Sequence, residues 1–111
     1  MFTRLTVWQK SMELAEEIYK LTSTFPSSEA YGLVTQINRC AVSIPSNIAE
    51  GKGRQTDREF KQFLYIARGS VFELRTQLEL ARRLKFIDSD IALKDKILEV
   101  QKMLNILINK L

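Results

Sequence analysis

The sequence contains no histidine in any of its 111 positions, and that gap closes off several chemistries together. Without an imidazole there is no Ser-His-Asp triad, no Cys-His nucleophile pair, no HExxH zinc site and no Glu-x-x-His di-iron centre of the kind found in many helical bundles. Cysteine is nearly as scarce: Cys40 stands alone, so it cannot form an intramolecular disulfide or contribute to a Cys/His metal cluster. No cofactor or metal is expected, and an enzymatic role is not. Four glycines and two prolines are few, and all six fall between Phe25 and Gly69, which leaves long stretches on either side free of helix breakers. No apolar run approaches the roughly 18 residues of a membrane span. The opening residues Met1 to Lys10 lack the continuous hydrophobic region of a signal peptide, so a cytoplasmic location is the expectation.

Hydrophobic residues make up 45% of the chain and charged residues 27%, proportions ordinary for a globular protein, and the length suits one domain spanning 1–111. The formal net charge of +4 is unevenly placed. Between Gln36 and Lys85 ten basic residues face five acidic ones, whereas the rest of the chain has seven against eight. A basic middle on a near-neutral remainder points to an anionic partner, although a merely solvated basic surface gives the same composition.

Apolar periodicity predicts four helices. Before Phe25-Pro26, the positions Trp8, Met12, Ala15, Ile18, Tyr19, Thr22 and Phe25 recur every three or four residues, with Lys10, Glu13, Glu17 and Lys20 opposite. Phe25-Pro26-Ser27-Ser28 reads as a stop. A second helix carries Leu33, Ile37, Cys40, Ala41, Ile44 and Ile48. Pro45 should kink or break it, and Gly51 can close it in a left-handed conformation. Thr56-Asp57-Arg58-Glu59 is a capping box that opens a third helix of about 28 residues, running to Leu84. Its core stripe is Phe60, Phe63, Leu64, Ala67, Val71, Leu74, Leu78 and Ala81. Asp88-Ser89-Asp90 caps a fourth helix through Ile91, Ile97, Leu98, Gln101, Leu104, Leu107, Ile108 and Leu111. No segment alternates as a half-buried strand does. The fold class is all-α, an antiparallel up-down four-helix bundle.

Several segments in this order and spacing resemble one family. They are Leu5-Thr6-Val7-Trp8-Gln9-Lys10, Phe25-Pro26-x-x-Glu29-x-Tyr31-Gly32-Leu33, Gln36-Ile37-x-Arg39 and Ser43-Ile44-Pro45-Ser46-Asn47-Ile48-Ala49-Glu50-Gly51. Arg54, Phe60, Phe63-Leu64, Ala67-Arg68-Gly69-Ser70 and Glu73-Leu74 follow. The chain is similar to the four-helix-bundle proteins encoded by intervening sequences in bacterial 23S ribosomal RNA genes, sometimes called S23 ribosomal proteins. The resemblance spans nearly the whole chain. It implies a homopentameric ring, with relatives among the accessory proteins of diversity-generating retroelements, which work with a reverse transcriptase and nucleic acid.

Candidate functional residues follow the basic charge. Along the third helix Arg58, Lys61, Tyr65, Arg68, Phe72, Arg75, Glu79 and Arg82 share one face beside the core stripe. Five cations with two aromatics suit phosphate pairing and base stacking, as RNA binding requires. Tyr, Phe and Arg are also enriched at subunit interfaces, so the same face could lie between copies. In the connection Glu50-Gly51-Lys52-Gly53-Arg54-Gln55, two glycines could let backbone amides approach a phosphate, although the spacing is not that of a P-loop. A helix stop with a basic loop is the plainer reading. The nucleic-acid candidates are therefore Arg39, Lys52, Arg54, Arg58, Lys61, Arg68, Arg75 and Arg82. The expected partners are further copies of the chain and nucleic acid, RNA foremost, with a nucleic-acid-handling protein as the alternative. Ser43, Asn47, Trp8 and Cys40 read as structural. Gly69 inside a long helix suggests a close approach by a neighbouring helix or subunit.

Overall fold

Long runs without helix breakers give long helices. The computed structural model describes residues 1–111 apart from the side chain of Ile91. It contains α1 (Thr6–Thr22), α2 (Leu33–Lys52), α3 (Asp57–Arg83) and α4 (Ile91–Lys110), with short 3₁₀ turns at Phe2–Arg4 and Ser27–Glu29. Each helix packs on the next in the chain and α4 returns to α1, closing an all-α four-helix bundle about 43 Å long. Ile18, Ile37, Ile44, Ile48, Leu64, Val71, Leu74 and Leu104 are fully sealed in its core. The side chain of Ile91, expected on the apolar stripe of α4, lies outside the described residues.

The helix starts follow from their caps. The Thr56 Oγ1 accepts from the Glu59 amide at 3.1 Å, and the Glu59 carboxylate returns to the Thr56 hydroxyl at 3.3 Å rather than to its backbone N–H. Asp90 caps α4 by accepting from the Leu93 amide at 3.0 Å. Each cap satisfies one of the donors that a helix N-terminus leaves open.

Three expectations are corrected. The first concerns α1, whose buried face is Val7, Ser11, Leu14, Ala15, Ile18 and Thr22. Trp8, Met12 and Tyr19 lie one position round the helix, with Met12 and Tyr19 exposed. Second, of the kink or break expected at Pro45 the break does not occur: the helix continues to Lys52 with Pro45 buried inside it. Asn47 Nδ2 donates to the Ser43 carbonyl at 2.7 Å and Ser43 Oγ to the Cys40 carbonyl at 2.6 Å, so side chains reinforce the turns around the ring.

Third, Gly51 does not adopt a left-handed conformation; no glycine has a positive φ. It lies within the last turn of α2, packed against α3. A Cβ there would come within 2.6 Å of the Phe63 Cβ. The glycine is required by proximity. α2 and α3 form the most extensive helix pair in the molecule, and Ser43 and Ser70 share a 2.7 Å hydrogen bond across it.

The left-handed residue is Lys85, with φ 65°. The Phe86 amide donates to the Ala81 carbonyl at 2.9 Å and the Lys85 amide to Arg82 at 3.0 Å, the paired bonds of a Schellman ending. Phe86 then turns inward against Phe25, with ring centroids 5.7 Å apart. A side chain in this conformation costs about 1 kcal/mol or more relative to glycine. Lys85→Gly should therefore stabilise the fold by about 1 kcal/mol, read as a Tm increase of several degrees.

Candidate nucleic-acid interface

The basic stripe of α3 lies beside α4, where packing is less extensive than between α2 and α3. Polar side chains occupy this seam. Arg68 Nη1 donates to Asn105 Oδ1 at 3.1 Å, and Arg75 Nη1 donates to Gln101 Oε1 at 2.9 Å. The two pairs run in register because α3 and α4 are antiparallel: a later residue on one helix meets an earlier one on the other. Each guanidinium also approaches an aromatic ring one turn before it, Arg68 at 5.0 Å from the Tyr65 centroid and Arg75 at 5.9 Å from that of Phe72. Both rings remain open to solvent, Tyr65 at 38% and Phe72 at 48%.

The nature of the partners matters more than their number. An amide oxygen is a neutral acceptor, so Asn105 and Gln101 fix each guanidinium in place and leave its full positive charge facing outward. Aromatic contacts add attraction without cancelling that charge. Arg82 differs, because it bonds to the Glu79 carboxylate through its Nε at 2.8 Å, and Arg83 also approaches Glu79 at 3.7 Å. The Arg82 hydrogen bond holds the Glu79 carboxyl below its ordinary range, and Glu79 raises Arg82 in return. Arg54 likewise pairs with Glu50 at 3.1 Å. Arg39, Arg58 and Lys61 make no ion pair among the described residues. Arg39 lies exposed on α2 rather than on α3.

The α2–α3 connection is more occupied than its sequence suggests. Lys52 lies 5.6 Å from the centroid of Phe60, and Arg54 lies 4.7 Å from that of Phe63. Both cations fold back over the start of α3, and Gly51 belongs to the packed helix rather than to a loop. The helix stop falls at Lys52, with Gly53 as its C-cap and a basic connection after it. The α3–α4 seam thus brings together Arg68 and Arg75 with Tyr65 and Phe72. Lys52 and Arg54 sit at the opposite end of α3 from Arg82, separated by a helix about 40 Å long.

Gln101 and Asn105 were not identifiable as site residues from sequence alone; Gln101 reads there as part of the apolar stripe. The available signal was their i, i+4 spacing, which places two amides on one side of α4. Cys40 donates its thiol to the Ser70 carbonyl at 3.0 Å. Burial, with a smaller contribution from the Glu73 charge, pushes this thiol up to about 12, so it stays protonated at neutral pH and is a poor nucleophile. Among the described residues, no three His, Cys, Asp or Glu side chains converge as metal ligands would, and no helix is long and apolar enough to cross a membrane.

On the far side of the bundle, Phe2, Trp8, Met12, Tyr19, Val42 and Pro45 line an apolar groove of about 640 Å³ between α1 and α2. This groove explains where the Trp8–Met12–Tyr19 stripe goes when Val7, Ser11 and Leu14 take the core. Gly69 of α3 is open on the surface, and beyond its own stretch of helix backbone no atom lies within 4 Å of the position its Cβ would occupy. No neighbouring helix of the same chain accounts for it.

Together, the fold and the site define a histidine-free four-helix bundle with a cationic, aromatic seam along α3 and α4. The family model described as 23S rRNA-intervening sequence protein matches residues 3–106, and the chain belongs to that family. A solved structure from Bacteroides thetaiotaomicron, of a protein of unknown function in the S23 ribosomal protein family, is 28% identical. The match covers 93% of this chain and 95% of that one, with a TM-score of 0.85. No curated protein matches the sequence.

Proposed function

We infer that the chain is a non-enzymatic, cytoplasmic, oligomeric protein, pentameric in assembly, that binds nucleic acid, RNA or an RNA–protein complex foremost. The contact is made by the α3–α4 seam. One observation carries this reading: Arg68 and Arg75 are oriented by neutral amides beside exposed aromatic rings. Such an arrangement supplies phosphate-binding charge and stacking surfaces on one rigid face. Assembly is supported by the apolar α1–α2 groove, whose exposed Met12 and Tyr19 gain burial when another chain covers them. A ring would repeat the basic seam around an axis and multiply a weak contact.

The same groove favours a second reading, a scaffold that presents the basic surface to a protein. Titration of single-stranded RNA with the purified protein at increasing salt distinguishes the two. The nucleic-acid reading predicts affinity that falls steeply with salt concentration; no binding at moderate salt overturns it. In extracts treated with nuclease, a protein scaffold keeps its partner while a nucleic-acid-bridged complex falls apart. Light scattering checks the assembly separately, and a clean monomer mass would remove the pentamer.

A further inference from the structure

Where α3 ends and α4 begins, the helices part around an open cleft of about 850 Å³, in the size range of sites that hold small ligands. Leu78, Leu93 and Ile97 give it an apolar floor. Phe72 stands at its rim with almost half its surface open. The rim also carries charges of both signs; Asp88 is a carboxylate with no ion pair among the described residues, and the other acids are engaged. Glu79 is held by Arg82 and Arg83, and the Asp90 carboxylate caps α4. Arg75, anchored on the neutral Gln101 amide, and Lys94, which has no ion pair among the described residues, keep their positive charge.

An apolar floor, an exposed aromatic ring and two cations held in no ion pair are the complement of a nucleobase with its phosphate. We propose that this cleft is a pocket for one nucleotide of a bound strand. The base lies against Phe72 over the apolar floor, and the adjoining phosphate is met by Arg75 and Lys94. The inference rests on the nucleic-acid reading of the seam and deepens it: one base, not the backbone alone, is the recognised group.

The test uses the full-length protein and two fluorescent probes of equal length and charge, a uridine ten-mer and an abasic ten-mer. Stacking of one base against an aromatic ring predicts about tenfold tighter binding of the uridine strand. Phe72→Leu should remove that preference. Thr76→Met places a bulkier, non-aromatic group at the cleft from an exposed position and alters no charge; it should lower uridine-strand affinity toward the abasic level and leave abasic binding unchanged. Circular dichroism confirms that both variants fold. Equal wild-type affinity for the two probes overturns the pocket while leaving the nucleic-acid reading intact, as does a preference that survives both substitutions. Binding of neither probe at moderate salt overturns both.

Discussion

Gly51→Ala is expected to destabilise the protein by about 2 kcal/mol and to lower its Tm by about 10 °C. The added Cβ would lie 2.6 Å from the Phe63 Cβ, 3.0 Å from Phe60 Cδ1 and 3.3 Å from the Phe60 carbonyl oxygen. A Cβ is fixed to the backbone and cannot rotate away, and two of the three atoms it meets are equally constrained. Relief therefore requires α2 and α3 to separate along their most extensive contact. Overpacking of this kind costs about 3 kcal/mol at the upper end of its usual range. Alanine recovers about 1 kcal/mol of that through its better helix propensity, which leaves the net loss stated. Thermal and urea melts followed by circular dichroism measure it. Gly51→Val, which adds two further methyl groups to the same gap, should cost more. An alanine variant as stable as the parent would show that α2 and α3 are farther apart at this end than the geometry requires.

Gly51 also shows where sequence reading succeeds and where it stops. A glycine after an apolar helical run is most simply a left-handed stop, and nothing local distinguishes that role from close packing. The distinction depends on Phe60 and Phe63, residues of a different helix. Lys85 is the converse case, a left-handed helix end with no glycine to announce it. Features set by neighbours in the chain were readable: the Thr56 and Asp90 caps, the stop before Pro26, and the buried stripes of α2 and α3. The α1 stripe was ambiguous because Val7-Ser11-Leu14 and Trp8-Met12-Tyr19 have the same periodicity, and the serine made the true core face look less apolar. Ser11 is nonetheless fully buried, its hydroxyl donating to the Trp8 carbonyl at 2.8 Å. Periodicity identifies candidate faces, and tertiary packing chooses between them.

The cations of α3 were equally visible in the sequence, but their electrostatic environments were not. Neutralising both amide-anchored residues, Arg68→Gln with Arg75→Gln, should weaken binding of single-stranded RNA by about 10- to 100-fold at low salt. It should also reduce the slope of log affinity against log salt by about 1.4, the loss of two phosphate contacts. The matching control is Glu79→Gln with Arg82→Gln. It removes both halves of an ion pair and preserves net charge, and its affinity should stay within about threefold of the parent. Both double variants alter exposed or half-buried positions of the same helix, so a general effect on folding would affect them similarly and would show in their melting curves. A carboxylate beside a guanidinium competes with an incoming phosphate, whereas an amide orients the guanidinium and does not compete. If the control loses as much affinity as the first pair, the carboxylate-paired Arg82 contributes as strongly as the amide-anchored arginines and the seam has no special role. If only the first pair matters, Arg68 and Arg75 carry the contact, and Gln101 and Asn105, which hold them without bringing a charge, are the expected positioning residues. Truncating those amides to alanine should then reduce affinity while leaving the salt slope nearly unchanged, because every phosphate-binding charge is still present.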